Sequence, residues 1–509
     1  MMNAAMTAEA STEFGLTLGE LAALLQAAGA TLHGDENVRV TGLHQDSRRV
    51  LPGDLFAARG GGKTSGLDFA GDARARGAAA LLTEPGAAAT ASSLPRLEVA
   101  DVRLAIALAA EAIYRFPTRA LGLVGITGTN GKTTTAWLVE HALLKIGGRP
   151  ARLGTLGSSF LGEASEGSLT TPEADDISRY AAEVRDRGAT HLVMEVSSHA
   201  LSQKRVEALS FDVAAFSNLT QDHLDFHHTM AEYAAAKAGL FTRLSPRCSV
   251  LNVDDPYGRQ LSERATGSVL RVGRAADADI RPIEVSVDGA GIRATIAAPR
   301  GEAELVSRLV GEHNLANLLL ALGILTALGW HPQLAASGLS TAPQVPGRLE
   351  RCDQADDDVL VLVDYAHTPD ALERALSAVR GLAAGELVCI FGCGGDRDPD
   401  KRPKMGAAVG RGADRAVITN DNPRSEAPEA IAAAIEPALA QSNKPYEVEL
   451  DRARAIEQTI LRARRGDVIL IAGKGHETYQ IVGSERRSFD DRDEARRALA
   501  LRRSKGALS

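Results

Sequence analysis

Gly125-Ile-Thr-Gly128-Thr-Asn-Gly131-Lys132-Thr133 is the stretch whose reading decides the fold. An apolar run, Leu121 to Ile126, enters it, and a helix-like segment, Thr133 to Leu144, leaves it. The order is strand, loop, helix. Glycines let a backbone wrap closely around phosphate with its N–H groups pointing inward. The helix that follows presents its positive end to the anion. In such a loop Lys132 neutralises charge on the β- and γ-phosphates, and the Thr133 hydroxyl ligates Mg²⁺. The general pattern asks for a glycine five residues before Gly131, where this chain has Ile126. A plain glycine turn is the competing reading, and the strand–loop–helix context weighs against it. The loop implies a nucleotide but not what the nucleotide is used for.

Downstream of the loop, apolar runs at His191 to Val196, Val213 to Phe216 and Val250 to Val253 alternate with helical stretches, among them Met230 to Leu244 and His313 to Leu328. The alternation predicts β-α units and a mainly parallel sheet. Thr341 to Gly347 (TAPQVPG) holds two prolines and a glycine and reads as an interdomain linker. Beyond it, runs at Val359 to Val363, Leu387 to Phe391, Ala416 to Thr419 and Val468 to Ala472 recur, as in a second doubly wound domain. Upstream, short apolar runs mix with turns at Pro52-Gly53-Asp54 and Gly60-Gly61-Gly62, and Gly86 to Ser93 reads as a surface loop. The expected class is α/β with three domains: 1–117, a phosphate-loop domain at 118–343, and a Rossmann-like domain at 344–509.

Composition narrows the partners. The net charge of -8 and an aromatic content of 4% argue against a nucleic-acid binder, which favours a basic face and stacking platforms. Four cysteines without a CxxC pair read as reduced thiols in a cytoplasmic protein. The first residues, MMNAAMTAEASTEFG, do not read as a signal peptide, and no run of about 18 apolar residues spans a bilayer.

Gly128-Thr-Asn-Gly131-Lys132-Thr133-Thr134 resembles the ATP loop of the Mur ligase family, and that family's further motifs follow in order across nearly the whole chain. Met194-Glu195-Val196-Ser197-Ser198-His199 ends a predicted strand, and the resemblance implies Glu195 as a Mg²⁺ ligand. Asn218 to His227 (NLTQDHLDFH) is similar to the next motif, in which His223 would ligate a second Mg²⁺. A lone histidine is usually structural, but this one sits between Asp222 and Asp225. From composition Lys237 is a solvated helix lysine. The resemblance implies instead a carbamylated lysine, whose carboxylate-like group can bind a cation. Gly311-Glu-His-Asn314-Leu-Ala-Asn317 resembles the segment near adenine. Two amides at i and i+3 share a helix face, with a helix cap and core-edge polar groups as the equal alternative. Asp364-Tyr-Ala-His367 resembles the motif that brings the C-terminal domain onto ATP, and Arg348, just past the linker, is placed to reach phosphate. The resemblance thus makes Lys132, His223 and Lys237 the catalytic set.

Three groups bear on the substrates. Gln45-Asp46-Ser47-Arg48 with Gly53-Asp54-Leu55-Phe56 resembles a uridine-binding N-terminal domain of the family; a polar turn between strands is the plainer reading. Thr170-Thr171-Pro172, with Ser197, Gln203 and Arg205, matches residues that hold a UDP-muramoyl dipeptide, where arginine's paired donors suit an anion. Asp421-Asn422-Pro423-Arg424 resembles the tetrad of members that select meso-diaminopimelate; those selecting L-lysine lack the arginine. Meso-diaminopimelate is lysine with an extra carboxylate, which Arg424 would pair and which is costly to bury unpaired. An asparagine–proline turn is the alternative. In Gly392-Cys-Gly-Gly-Asp396-Arg397 and Gly473-Lys-Gly-His-Glu477, Arg397 would hold a carboxylate and Glu477 the distal ammonium. The implied enzyme is a monomer that uses ATP and Mg²⁺ to join the dipeptide to the amine through an acyl phosphate. The same ligase using L-lysine is the alternative. A ligase adding D-Ala-D-Ala, a folate-polyglutamate ligase and a P-loop switch or assembly ATPase stand further off. No guanine-specifying NKxD segment follows the loop.

Overall fold

The computed structural model describes residues 15–60, 65–86, 94–167, 169–354 and 356–506. Residues 1–14, Gly61, Gly62 and residues 87–93, on which sequence expectations fell, lie outside them. The chain forms two compact units. One comprises Met1–Ile283, Thr295–Leu305 and Ala316–Thr341; the other comprises Glu284–Ala294, Val306–Leu315 and Ala342–Ser509.

The first unit begins with a five-stranded sheet: β1 (Thr31–His33), β2 (Gly42–His44), β3 (Asp54–Ala58), β4 (Ala80–Thr83) and β5 (Arg96–Glu98), in spatial order β1-β5-β4-β3-β2. Strands β2 to β5 run parallel, and β1 is antiparallel at the edge. Leu43, Leu55, Leu82 and Leu97 pack with Ile106 of helix α1 (Val102–Ile113). That helix starts where Asp101 accepts the Leu104 N–H at 3.0 Å, satisfying one otherwise orphaned donor.

An eight-stranded sheet follows: β6 (Gly122–Thr127), β7 (Pro150–Gly154), β8 (Gly157–Phe160), β9 (Glu163–Ser165), β10 (His191–Glu195), β11 (Val213–Phe216), β12 (Cys248–Asn252) and β13 (Ser268–Val272). Its order is β9-β8-β7-β10-β6-β11-β12-β13. Six strands are parallel, as the apolar runs predicted. The edge departs from that expectation, because β7, β8 and β9 form an antiparallel meander. Its outer strands, Gly157-Ser-Ser-Phe160 and Glu163-Ala-Ser165, are too polar to read as strands. The central strands are buried on both faces, as parallel strands covered by helices must be. Register pairs Glu195 with Ile126 and Phe216 with Thr127, so β10, β6 and β11 end at one edge. The loops leaving them are the phosphate loop, Val196 to Ser198, and Ser217 to Thr220. Such a carboxyl edge is where open α/β sheets hold ligands.

The second unit holds β14 (Glu350–Arg351), β15 (Leu360–Asp364), β16 (Leu387–Phe391), β17 (Arg415–Ile418), β18 (Tyr446–Val448) and β19 (Val468–Ala472), in order β14-β15-β19-β16-β17-β18. All but β14 are parallel. Side chains alternate between two cores. Leu362, Cys389, Ile418 and Leu470 point to one, and Val361, Ile390, Val417 and Ile469 to the other. This is the expected doubly wound domain, with a hairpin, β20 (Tyr479–Val482) and β21 (Glu485–Ser488), that the sequence did not announce. Arg452 and Asp491, both wholly buried, form a bidentate pair with two contacts of 2.7 Å. Arg452 also donates to the carbonyls of Ala472 at 3.0 Å and Asn420 at 3.2 Å, bracing the ends of two strand-exit loops.

Candidate active site

The phosphate loop is shaped by contacts that exclude side chains. Gly128 has φ +145, and a Cβ there would lie 1.9 Å from Ser217 Oγ. Gly131 has φ +84, and its Cβ would meet Asn317 Oδ1 at 2.3 Å. Neither position admits another residue without rebuilding the loop. The exit of β11 pins the loop: Thr129 N–H donates to the Asn218 carbonyl at 2.8 Å, and Asn130 N–H to Asn218 Oδ1 at 3.0 Å. Asn218, singled out only as the first residue of a motif, therefore sets the loop's path. Helix α2 (Lys132–Lys145) starts at the loop, with buried Thr133 and Thr134 in its first turn.

Thr133 Oγ donates to Glu195 Oε2 at 3.0 Å, so the two expected metal ligands are brought together. The Thr155 N–H fixes the other oxygen, Oε1, at 2.7 Å. Among the described residues no cluster of three histidine, cysteine, aspartate or glutamate side chains is poised around a metal. Magnesium does not need one, since it keeps waters and takes substrate phosphates alongside one or two protein oxygens. The buried hydroxyl–carboxylate pair is a donor set of that kind.

Two ammonium groups converge on one carbonyl. Lys132 Nζ donates to Gly128 O and Thr129 O, each at 2.9 Å, and Lys237 Nζ donates to Gly128 O at 2.7 Å. Lys237 lies on helix α3 (Met230–Thr242) and is only 1% exposed. The solvated lysine expected from composition is therefore wrong: the helix turns this side chain inward, against the Tyr233 ring 4.5 Å away. Burial first, and the Lys132 charge second, push the Lys237 pKa well below its ordinary value. His223 stands at φ +53 before the short helix Leu224–His227. Its ring meets that of His199 edge-on at 4.9 Å. Its pKa is lowered, mainly by burial, with Asp222 opposing and both Lys132 and Lys237 contributing. The imidazole thus senses the field of the phosphate loop.

The residues expected around the dipeptide also converge. The Thr171 hydroxyl donates to the Glu195 carbonyl and accepts the Ser197 N–H, each at 2.9 Å. Arg205 donates to Thr171 O at 2.8 Å and to Gln203 Oε1 at 2.6 Å, and pairs with Glu173 at 3.0 Å. Thr170 Oγ1 lies 3.2 Å from Thr155 Oγ1. Of the N-terminal group, Gln45 donates to Asp175 Oδ1 at 2.6 Å, while Asp46 caps the turn that contains buried Ser47. A cavity of about 340 Å³ is lined by Pro172, Arg49, Asp176, Arg179 and Tyr180 among others. Neither Arg49 nor Arg179 stands out in the sequence; Arg179 reaches Asp176 along its own helix, and the arrival of Arg49 there is a tertiary event.

In the second unit, Asp364 accepts the N–H groups of Leu349 and Ala366, both at 2.8 Å, and so closes the loop after β15. Arg348 covers the Tyr365 ring at 5.1 Å, and His367 Nδ1 lies 2.7 Å from the Tyr365 carbonyl. Asn314 donates to Val310 O at 2.8 Å. The exits of β16, β17 and β19 bring together the remaining group. Arg424 donates to the Gly395 carbonyl at 2.8 Å. A Cβ on Gly394 would sit 3.0 Å from Arg424 Nη1 and 3.7 Å from Arg397 Cγ, so the two arginines flank one glycine. Close by, Asn422 Nδ2 donates to Glu477 Oε2 at 3.0 Å, and a Cβ on Gly473 would touch Asp421 Oδ2 at 3.1 Å. Lys474, quoted in its motif but given no role, is wholly buried beside them.

The fold and site define a phosphate-loop α/β enzyme whose nucleotide edge carries a magnesium-type donor pair. Three family models match in succession: the Mur ligase family catalytic domain at residues 39–114, the Mur ligase middle domain at 126–325, and the Mur ligase glutamate ligase domain at 347–475. The UDP-N-acetylmuramoyl-L-alanyl-D-glutamate--2,6-diaminopimelate ligase of Gloeobacter violaceus is 46% identical over 484 residues, 95% of this chain and 98% of that protein. The ligase of the same name from Streptomyces coelicolor is 45% identical over 91% of this chain and 93% of its own length. A solved structure of a ligase so named superposes with a TM-score of 0.70 at 31% identity, covering 96% of this chain and 100% of that one. The chain belongs to the Mur ligase family. It is an ATP-dependent, amide-bond-forming ligase of three-domain α/β architecture. No described helix is long and apolar enough to cross a membrane.

Proposed function

We propose that the chain joins the γ-carboxylate of D-Glu in UDP-N-acetylmuramoyl-L-Ala-D-Glu to an amine of meso-diaminopimelate, as a cytoplasmic monomer serving peptidoglycan synthesis. Its three domains would span 1–117, 118–343 and 344–509. The observation that carries the amine is the placement of Arg424 and Arg397 around Gly394, on the loop whose Asn422 reaches the Glu477 carboxylate. An α-amino acid end group needs cationic and anionic partners side by side, and this loop cluster supplies both.

A carboxylate reacts poorly with an amine because its leaving group is too poor. Transfer of ATP's γ-phosphate to the D-Glu γ-carboxylate gives an acyl phosphate and ADP. The amine then attacks the acyl carbon, loses its proton, and phosphate departs. In this reading Lys132 exchanges the Gly128 and Thr129 carbonyls for the β- and γ-phosphates, where its charge offsets repulsion between two anions. Gly128 to Thr134 would cradle the phosphates, and Asn314, Asn317, Arg348, Asp364 and His367 are the further residues that the family resemblance assigns to ATP. Thr170, Thr171, Ser197, Gln203 and Arg205 hold the dipeptide, with Gln45 and Ser47 at the uridine end. Arg397, Asp421, Asn422, Pro423, Arg424, Gly473 and Glu477 hold meso-diaminopimelate, with Glu477 taking its distal ammonium, Arg424 its extra carboxylate and Arg397 a carboxylate. Thr133, Glu195, His223 and carbamylated Lys237 would hold Mg²⁺, which supplies charge neutralisation and orientation of the γ-phosphate.

The buried environment of Lys237 supports the carbamate. An amine whose ammonium form is disfavoured is the nucleophile that adds carbon dioxide, and the product replaces a repelled cation with an anion beside Lys132. Isotope-labelled bicarbonate should give the native enzyme a carbamate carbon resonance that is missing from Lys237→Met. A fully active enzyme without that resonance would reject the modification.

Purified protein with ATP and the UDP-muramoyl dipeptide tests the whole reading through phosphate release. Release with meso-diaminopimelate and not with L-lysine is expected. Release with lysine instead would move the assignment to the other amine, and release without the UDP-sugar would point to a phosphate-loop ATPase.

A further inference from the structure

Lys474 takes no part in the reaction just described, yet none of its side chain is exposed. Its Nζ donates to Glu477 Oε2 at 2.9 Å and to Asn422 Oδ1 at 3.1 Å, and lies 3.8 Å from Asp421 Oδ1. The Tyr479 ring covers it from 5.4 Å. An ammonium is costly to bury without such partners, so its position in the cluster is tightly defined.

Asn422 is fixed in one sense as a result. Its Oδ1 accepts from Lys474 and also from the Ile481 N–H at 2.9 Å, and its Nδ2 therefore points to Glu477 Oε2. Turning the amide over would set its NH₂ against two donors. Lys474 thereby orients two of the residues assigned to the amine.

It also sets their charge. In formal charge, Asp421, Glu477 and Asp491 supply three carboxylates against the two cations Lys474 and Arg452, so one negative charge remains once Arg397 and Arg424 are given to the substrate's carboxylates. Asp491 is wholly buried, whereas Glu477 keeps 18% of its side chain exposed and is open to a ligand. Without Lys474 the cage would face its ligand with two negative charges, and Asn422 Oδ1 would keep only the Ile481 N–H as its donor.

We propose that Lys474 is a positioning residue for the amine substrate: it locks Asn422 and Glu477 in place and trims the cage to the single negative charge that complements one substrate ammonium. The inference rests on the diaminopimelate reading above. It explains why a lysine is buried within reach of a group meant for another ammonium: Lys474 fills the back of the cage and leaves the front for the ligand.

Steady-state kinetics on Lys474→Ala test it. KM for meso-diaminopimelate should rise by about 30-fold, the order expected when a buried charged contact loses its partner. KM for ATP and for the UDP-sugar should stay within about twofold, which a general loss of structure would not allow. Ethylammonium, supplied in solution, should bring the amine KM of this variant back toward the wild-type value. An unchanged amine KM overturns the proposal and leaves the ligase reading standing. So does a raised KM that ethylammonium leaves untouched. If the alanine variant does not fold, Lys474→Gln decides: its amide can donate but carries no charge, and an amine KM equal to wild type overturns the charge argument. Wild-type enzyme that releases no phosphate with meso-diaminopimelate removes the substrate reading, and the proposal with it.

Discussion

Lys132→Ala is expected to lower phosphate release by at least about a thousandfold, the scale set by removing a preorganised group from developing phosphoryl charge. The side chain starts the helix that follows the loop, and its ammonium is folded back onto two loop carbonyls. Alanine removes the charge and keeps helix propensity, so folding should be little affected. A second effect adds to the first. Lys237 shares the Gly128 carbonyl with Lys132, and losing the neighbouring charge makes the ammonium form of Lys237 easier to keep. On the proposed reading the variant should lose both the phosphate clamp and part of the tendency of Lys237 to carry a carbamate. Single-turnover phosphate release at saturating ATP is the measurement. A rate within about tenfold of wild type would take Lys132 out of the chemistry.

Arg424→Ala is expected to raise KM for meso-diaminopimelate by about a hundredfold, close to 3 kcal/mol, with kcat changed far less. The loss should be specific to the amine that carries the extra carboxylate. KM for L-lysine, tested at high concentration, should not rise and is expected to fall. Position 424 has φ +52, a conformation that alanine and arginine adopt with similar reluctance. The comparison therefore isolates the guanidinium from backbone strain. Arg424→Lys should recover only part of the loss, because a point charge cannot reproduce the paired donors. An amine KM that stays at the wild-type value in Arg424→Ala would remove the arginine from recognition.

What the sequence disclosed follows from where each signal resides. Strands buried on both faces must be apolar throughout, so β6, β11, β16 and β19 stand out as unbroken runs. Strands β8, β9 and β21 are largely polar, and apart from the buried Phe160 of β8 nothing in their composition marks them. The same contrast holds in the site. The phosphate loop is local: its glycines, lysine and threonine lie within nine residues. The burial of Lys237 depends on how a helix packs against a loop more than a hundred residues away, so composition pointed the wrong way. Lys474 was visible in its motif, but its role depends on Asn422, 52 residues earlier. The cavity beside Pro172 needs Arg49 and Arg179 to meet at one aspartate, which no periodicity can announce.

The hairpin β20–β21 is bound to the Asp421–Arg424 loop mainly through main-chain atoms. Arg424 N–H donates to Ile481 O at 3.1 Å, Gly483 N–H donates to Arg424 O at 2.7 Å, and residue 424 bridges Val482 in parallel register. The backbone at residue 424 is thus held by main-chain bonds, to which the guanidinium adds its own bond to the Gly395 carbonyl at 2.8 Å. If Arg424 selects the amine as proposed, a substitution there should change amine preference while the main-chain bonds to the hairpin persist, which makes position 424 the first place to redesign the choice of amino acid.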